Sequence, residues 1–245
     1  MRYERPRLLE GYDKLDGILA HKSVAILGAG GLGGLCAYLL AGAGLKSLTV
    51  ADDDTVEDSN LHRQVMFCAD DIGKVKSLCL KREIGKLDPE VQVRAFTDRV
   101  DEGNFADFAK GADLVMDLTD NVQTRLLASR MSLALKKDFV HASVAAGCGM
   151  YCAFRFSDPA FVREHGCYEC MAGAAAKPAF RGITGPYAEA ISAEAAQLAM
   201  ECFMGTAPWG ELFVHDMERR TIRRFALKRD PSCPECTRYL DSIKE

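Results

Sequence analysis

The chain has 245 residues, of which 48% are apolar and 27% charged, with a formal net charge of −4. That length and composition suit one full-size α/β domain without disordered segments, and the acidic balance argues against a general binder of polyanions such as nucleic acid. The N-terminus is charged, and no stretch approaches the roughly 18 uninterrupted apolar residues of a membrane span, so a cytoplasmic protein is expected.

In chain order, an apolar strand is expected over 23–27, followed by the glycine loop Gly28-Ala29-Gly30-Gly31-Leu32-Gly33 and a helix to about 44. A second strand over 47–51 completes a βαβ unit, with its crossover right-handed and its strands parallel. The rhythm continues with a helix near 72–87, a strand over 91–96, a helix near 103–110, a strand over 113–117, a helix near 122–135 and a strand over 139–143. This predicts a Rossmann-like, doubly wound and mainly parallel sheet. From residue 150 the pattern changes to a strand over 150–156, a cysteine-bearing loop and an alanine-rich helix over about 186–204. Two strands over 211–215 and 221–227 read as antiparallel extensions of the sheet. A single domain is expected, with a nucleotide-binding half over about 1–145 and a second half over about 146–245.

The glycine loop lets backbone N–H groups and the following helix N-terminus approach a phosphate. Asp52 follows about 20 residues after the last glycine, where an acidic side chain bonds ribose hydroxyls; these two features alone favour NAD. The next segment points elsewhere. Asn60, Arg63 and Gln64 in Ser59-Asn60-Leu61-His62-Arg63-Gln64, and then Lys76, put hydrogen-bonding and cationic groups just past the nucleotide site. They suit the charge of a triphosphate and of a pentacoordinate α-phosphorus. Asp120, in Leu118-Thr119-Asp120-Asn121, suits a Mg²⁺ carboxylate, and read by itself it equally suits the cap of the following helix.

Two Cys-x-x-Cys pairs, Cys167/Cys170 and Cys233/Cys236, fit one tetrahedral Zn²⁺ site that ties the end of the chain to its middle. The other six cysteines read as reduced and mostly buried. His62, His141, His165 and His215 are scattered singly, and none reads as a metal ligand.

Taken together and in this order, the glycine loop, Ala51-Asp52-Asp53-Asp54-Thr55-Val56-Glu57-Asp58-Ser59-Asn60-Leu61-His62-Arg63-Gln64, the segment around Lys76, Asp117-Leu118-Thr119-Asp120-Asn121 and the cysteine pairs resemble the ThiF/MoeB/HesA family, bacterial relatives of ubiquitin-activating enzymes. The resemblance spans nearly the whole chain. It implies a homodimeric enzyme that uses ATP and Mg²⁺ to adenylate the C-terminal glycine of a ubiquitin-like sulfur-carrier protein. By the same resemblance Gly28, Gly30, Gly31 and Gly33 form the phosphate loop, Asp52 meets the ribose, and Asp54 lies at the edge of that site. Asn60, Arg63, Gln64 and Lys76 meet the triphosphate, Asp120 holds Mg²⁺, and Asn121 flanks it. Arg5 matches the family's N-terminal arginine, which crosses the dimer interface into the partner's site.

One departure stands out. Many members carry a cysteine in the loop that corresponds to 171–184, where it forms a covalent link to the carrier, and this chain has none there. The expectation is a reaction that stops at the acyl-adenylate. Adenylation of a different carboxylate, such as a small-molecule acid, and silent binding of a ubiquitin-fold partner are the alternatives. Cys148 and Cys152 read as buried strand residues rather than a relocated nucleophile, and Cys68 is a weaker candidate still.

Overall fold

A computed structural model describes residues 2–173 and 182–243. Eight strands form one sheet: β1 (Ser23–Leu27), β2 (Ser47–Ala51), β3 (Gln92–Phe96), β4 (Leu114–Asp117), β5 (Asp138–Ala145), β6 (Cys148–Phe154), β7 (Glu211–Asp216) and β8 (Thr221–Ala226). Their order is β3-β2-β1-β4-β5-β6-β7-β8. The first five run parallel and the last three antiparallel, as the change of rhythm at residue 150 predicts.

Alternate residues of β1 point to opposite faces, as a pleated strand requires. Val24 and Ile26 enter one apolar cluster and Ala25 and Leu27 the other. The first face is covered by α1 (Leu15–Leu19), α2 (Gly33–Ala43), α3 (Lys76–Leu87) and α8 (Gly185–Met204). The second is covered by α4 (Phe105–Phe108), α5 (Val122–Ala134), α6 (Pro159–His165), α7 (Tyr168–Ala172) and α9 (Pro234–Ser242). Among these helices none is long and apolar enough to cross a membrane.

Several expected boundaries move for local reasons. The helix expected from 72 starts at Lys76, because Ile72 and Val75 are held in bridges to Val56 and Thr55 and Gly73 lies at φ +84°. The helix expected over 103–110 shrinks to α4, since Asp101 accepts from the N–H groups of Gly103 and Asn104 and so folds that stretch into a turn. Strand β6 begins two residues early. Ala146 and Gly147, at φ +55° and +73°, make a two-residue turn that pairs Ala145 with Cys148. The expected cysteine loop contains α6 and α7, and α9 follows the last strand unforeseen.

Cys36, Cys79 and Cys152 are buried and Cys202 half-buried, but Cys68 and Cys148 are exposed; Cys148 opens β6 at the hairpin turn, and its side chain faces solvent. Most of the cysteine-free stretch, residues 174–181, lies outside the described residues.

Candidate functional site: a phosphate loop at the switch point of the sheet

Strand order reverses direction between β1 and β4, so their carboxyl ends open a crevice, which is where doubly wound sheets bind ligands. The loop after β1 enters it. Gly28, at φ +91°, donates its N–H to Ala51 O (2.8 Å), and a Cβ there would sit 3.0 Å from the carbonyl oxygen of Leu118. At Gly33 a Cβ would run into the Gly28 carbonyl, so only glycine lets the loop fold onto the start of α2.

The acidic cluster after β2 braces this loop. Asp52 accepts from Ala29 N–H (2.7 Å) with one oxygen and from Asp54 N–H (3.0 Å) with the other. Burial pushes the Asp52 carboxyl up, and the Ala29 N–H and the Lys76 charge counter it. Lys76, first residue of α3, donates its backbone N–H to Asp54 O (3.0 Å) and its ammonium to the Asp54 carboxylate (3.0 Å). Its side chain is 8% exposed, so a cation is held at the rim of the crevice.

A short 3-10 turn, Asp58–Asn60, brings the next residues against the glycines. A Cβ at Gly31 would lie 3.2 Å from Arg63 O, and one at Gly30 3.4 Å from Gln64 Nε2. The Gln64 Oε1 atom is buried and has no hydrogen-bond partner among the described residues. Arg63 donates to Ser59 O (3.0 Å), and its Nη1 lies 2.9 Å from His62 Nε2. Because guanidinium only donates, that imidazole nitrogen is the acceptor. Asn60 is spent locally: its side-chain oxygen accepts from Glu57 N–H (3.2 Å), which makes it a brace for the turn.

The loop after β4 forms the opposite lip. Thr119 Cγ2 lies 3.4 Å from the Gly28 Cβ position. Asp120 is exposed, and the cap of α5 is Asn121, which accepts from Thr124 N–H at 2.8 Å. The Asp120 carboxylate is therefore left out of the cap, whereas the Asn121 side-chain oxygen is committed to it.

Arg5 does not join this group within one chain. Its segment is anchored by the Arg2–Asp88 ion pair (2.7 Å) at the end of α3 and by Tyr3, whose ring lies 3.5 Å from the Gly44 Cβ position at the end of α2. Both helices begin at the crevice, so this segment lies about 16 Å away along α2, at 1.5 Å per residue.

The four cysteines converge as their spacing predicts. Sγ atoms of Cys167 and Cys233 are 3.7 Å apart, as are those of Cys170 and Cys236, and all four lie within 4.8 Å of one another. Thiolates at 2.3 Å from a tetrahedral Zn²⁺ stand about 3.8 Å apart, so the donor set fits that ion. All four thiols are free. Gly166, which the sequence reading passed over, is required here: at φ +76°, a Cβ would meet Cys170 Sγ at 2.6 Å and Arg229 Cα at 2.9 Å. Gly185 was also missed. It begins α8, and a Cβ there would come within 2.7 Å of His62 O, beside Arg63.

The fold and crevice define a nucleotide-binding α/β protein of the doubly wound type, with a four-cysteine cluster of a size to hold a metal ion. The chain belongs to the ThiF family, whose family model matches residues 6–235. It is 35% identical over 243 residues to the Sulfur carrier protein ThiS adenylyltransferase of Escherichia coli (strain K12), covering 96% of this chain and 94% of that protein. It is 29% identical to the Molybdopterin-synthase adenylyltransferase of the same organism, over 96% of each. Among solved structures, E. coli MccB with MccA shares the fold at a TM-score of 0.81 and 22% identity, over 96% of this chain and 74% of that one.

Proposed function

We propose that this protein is an ATP-dependent adenylyltransferase that activates the C-terminal carboxylate of a ubiquitin-like sulfur-carrier protein. The observation that carries this reading is the ammonium of Lys76, held beside a glycine loop already lined by Arg63 and Gln64. Such a site offers charge to a triphosphate that a dinucleotide would not use. Relatives named as sulfur-carrier adenylyltransferases and matched over almost their full length support the choice of acceptor.

In this reading the backbone of the Gly28–Gly33 loop and the N-terminus of α2 receive the phosphates, and Asp52 faces the ribose. Its two oxygens already accept backbone N–H groups, and each keeps a lone pair for a hydroxyl. Lys76 and Arg63 stabilise the charge that builds on the α-phosphate as the carrier's carboxylate attacks and pyrophosphate leaves. No side chain needs to remove a proton, because the nucleophile is a carboxylate and is ionised at neutral pH. Asp120 is the residue free to hold Mg²⁺, which would supply further charge neutralisation. Cys167, Cys170, Cys233 and Cys236 would hold a structural Zn²⁺. Arg5 would act across a homodimer, since its own chain's site is out of its reach. Without a cysteine in 171–184, the product is the acyl-adenylate, which a separate sulfur donor consumes in the cytoplasm.

The test is Mg²⁺-dependent ATP–pyrophosphate exchange with a carrier ending in Gly-Gly, alongside calorimetric titration with ATP and NAD. Exchange that needs the carrier, with ATP bound far more tightly than NAD, is expected. Equal NAD binding, or exchange driven only by an unrelated acid, would overturn the reading.

A further inference from the structure

Beneath the lip that carries Asp120 lies a chain of buried polar groups that the proposed chemistry does not use. Asp117, the last residue of β4, pairs in register with His141 on β5, and both side chains are fully buried. Asp117 Oδ2 is 2.7 Å from His141 Nδ1, and Ser143 Oγ lies 3.1 Å from His141 Nε2. The other Asp117 oxygen accepts from the Thr119 hydroxyl (2.6 Å) and from Thr119 N–H (3.2 Å). Arg125 on α5 completes the clamp, donating from Nε (3.2 Å) and Nη2 (2.8 Å) to Thr119 O. The edge of Tyr168 packs on the His141 ring with centroids 4.6 Å apart.

Burial pushes the His141 imidazole down, towards the neutral form, in which Nδ1–H donates to the carboxylate and Nε2 accepts from Ser143. Buried carboxylates and imidazoles are costly, and an apolar pair of similar volume is often as stable or more so. Asp117, itself held by His141, and Arg125 converge on Thr119, the residue before Asp120. Its N–H, hydroxyl and carbonyl are all engaged, so the peptide leading to Asp120 is fixed from both sides.

We propose that His141 is a positioning residue: by holding Asp117 it fixes Thr119 and so aims the Asp120 carboxylate at the Mg²⁺ of the bound nucleotide. The inference rests on the reading of Asp120 as the Mg²⁺ carboxylate. His141 and Asp117 touch neither nucleotide nor carrier in this scheme, and they act through Thr119.

The experiment measures the half-saturating Mg²⁺ concentration in pyrophosphate exchange, KM for ATP at saturating Mg²⁺, and thermal unfolding. His141→Leu removes both ring hydrogen bonds. It should raise the Mg²⁺ requirement about tenfold, the size one net buried hydrogen bond carries, while KM for ATP at saturating Mg²⁺ stays within about twofold. His141→Asn puts an N–H donor where Nδ1 stands and should restore the Mg²⁺ requirement to within about threefold. Thr119→Val, which keeps the volume and removes only the hydroxyl, should move the requirement in the same direction as His141→Leu and serves if that variant does not fold. A folded His141→Leu enzyme with an unchanged Mg²⁺ requirement overturns the proposal, as does equal damage by His141→Asn. Asp120→Asn separates the two levels: if it leaves the Mg²⁺ dependence intact, the metal reading falls and this inference with it. If it abolishes that dependence while His141→Leu and Thr119→Val are silent, only the positioning role falls.

Discussion

Lys76 Nζ lies 3.0 Å from Asp54 Oδ2, but the lysine side chain is 8% exposed and the aspartate 73%. The cation is the partner with something to lose, because water can solvate the carboxylate if the pair is broken and cannot as readily solvate the ammonium. Lys76→Met should therefore change stability by less than about 1 kcal/mol, as the aspartate it leaves behind is hydrated. Pyrophosphate exchange should fall about 100-fold, since the lost charge acts on the phosphates. Exchange rates beside urea melts check the split, and a variant with near-normal exchange would remove Lys76 from the site.

Two glycines should respond in opposite directions to alanine. Gly33→Ala drives a Cβ into the Gly28 carbonyl, a backbone atom that cannot rotate away, and should cost at least about 3 kcal/mol or prevent folding. Gly85→Ala, inside α3 with nothing within 4 Å of the new carbon, should stabilise by about 0.5–1 kcal/mol. Thermal melts of the pair test both; a tolerated Gly33→Ala would contradict the loop geometry described.

Asp71 gives the stability a pH dependence of known sign. Hydrogen bonds from Arg82, at 2.6 and 2.8 Å, hold its buried carboxyl well below the usual carboxylate range. A folded-state pKa below the unfolded value of about 3.9 means that the contribution is complete above that pH and is lost as pH falls towards the folded value. Arg82→Leu should cost about 2 kcal/mol at pH 7, because it leaves the buried carboxylate with the Cys68 N–H (3.2 Å) and the exposed Lys74 ammonium (3.7 Å) as partners. The gap from the parent should shrink between about pH 4 and pH 2. Urea melts across that range measure it, and a gap independent of pH would refute the assignment.

Elemental analysis should find one zinc per chain, held by Cys167, Cys170, Cys233 and Cys236. Strong chelation should lower the midpoint of thermal unfolding by about 10 °C or more, because metal binding is linked to folding and a chain of this size shifts about 3 °C per kcal/mol. A zinc-free protein with a Cys167–Cys170 disulfide would identify a redox pair instead.

The parallel half was legible because β1, β2 and β4 are short apolar runs that end at glycine or aspartate, because β3 alternates polar Gln92 and Arg94 with apolar residues, and because the glycine loop names its own strand and helix. The cysteine pairs were legible by spacing. What escaped depends on distant partners. Helices α6, α7 and α9 are only a few turns long and are held by the cysteine cluster and by Phe161, Tyr168 and Tyr239 in the core, so local periodicity carries little of their signal. The turn at Ala146-Gly147 needs an alanine at positive φ, which sequence preference argues against. The local bonds of Asn60 and Asn121, whose side-chain oxygens accept from Glu57 N–H and Thr124 N–H, show only once the turns are folded. The Asp117–His141 pair required the register of two strands to be known.

The cysteine cluster also changes how the chain would respond to force. Cys167 and Cys233 are 66 positions apart in sequence, and the stretch between them contains α8, β7 and β8. With one metal ion bridging the four sulfurs, a pull on the two ends of the chain bypasses that stretch. At roughly 3.4 Å per residue, about 220 Å of contour length stays hidden until a metal–sulfur bond ruptures. The long helix that backs the phosphate loop would therefore be the last part of the molecule to feel the load.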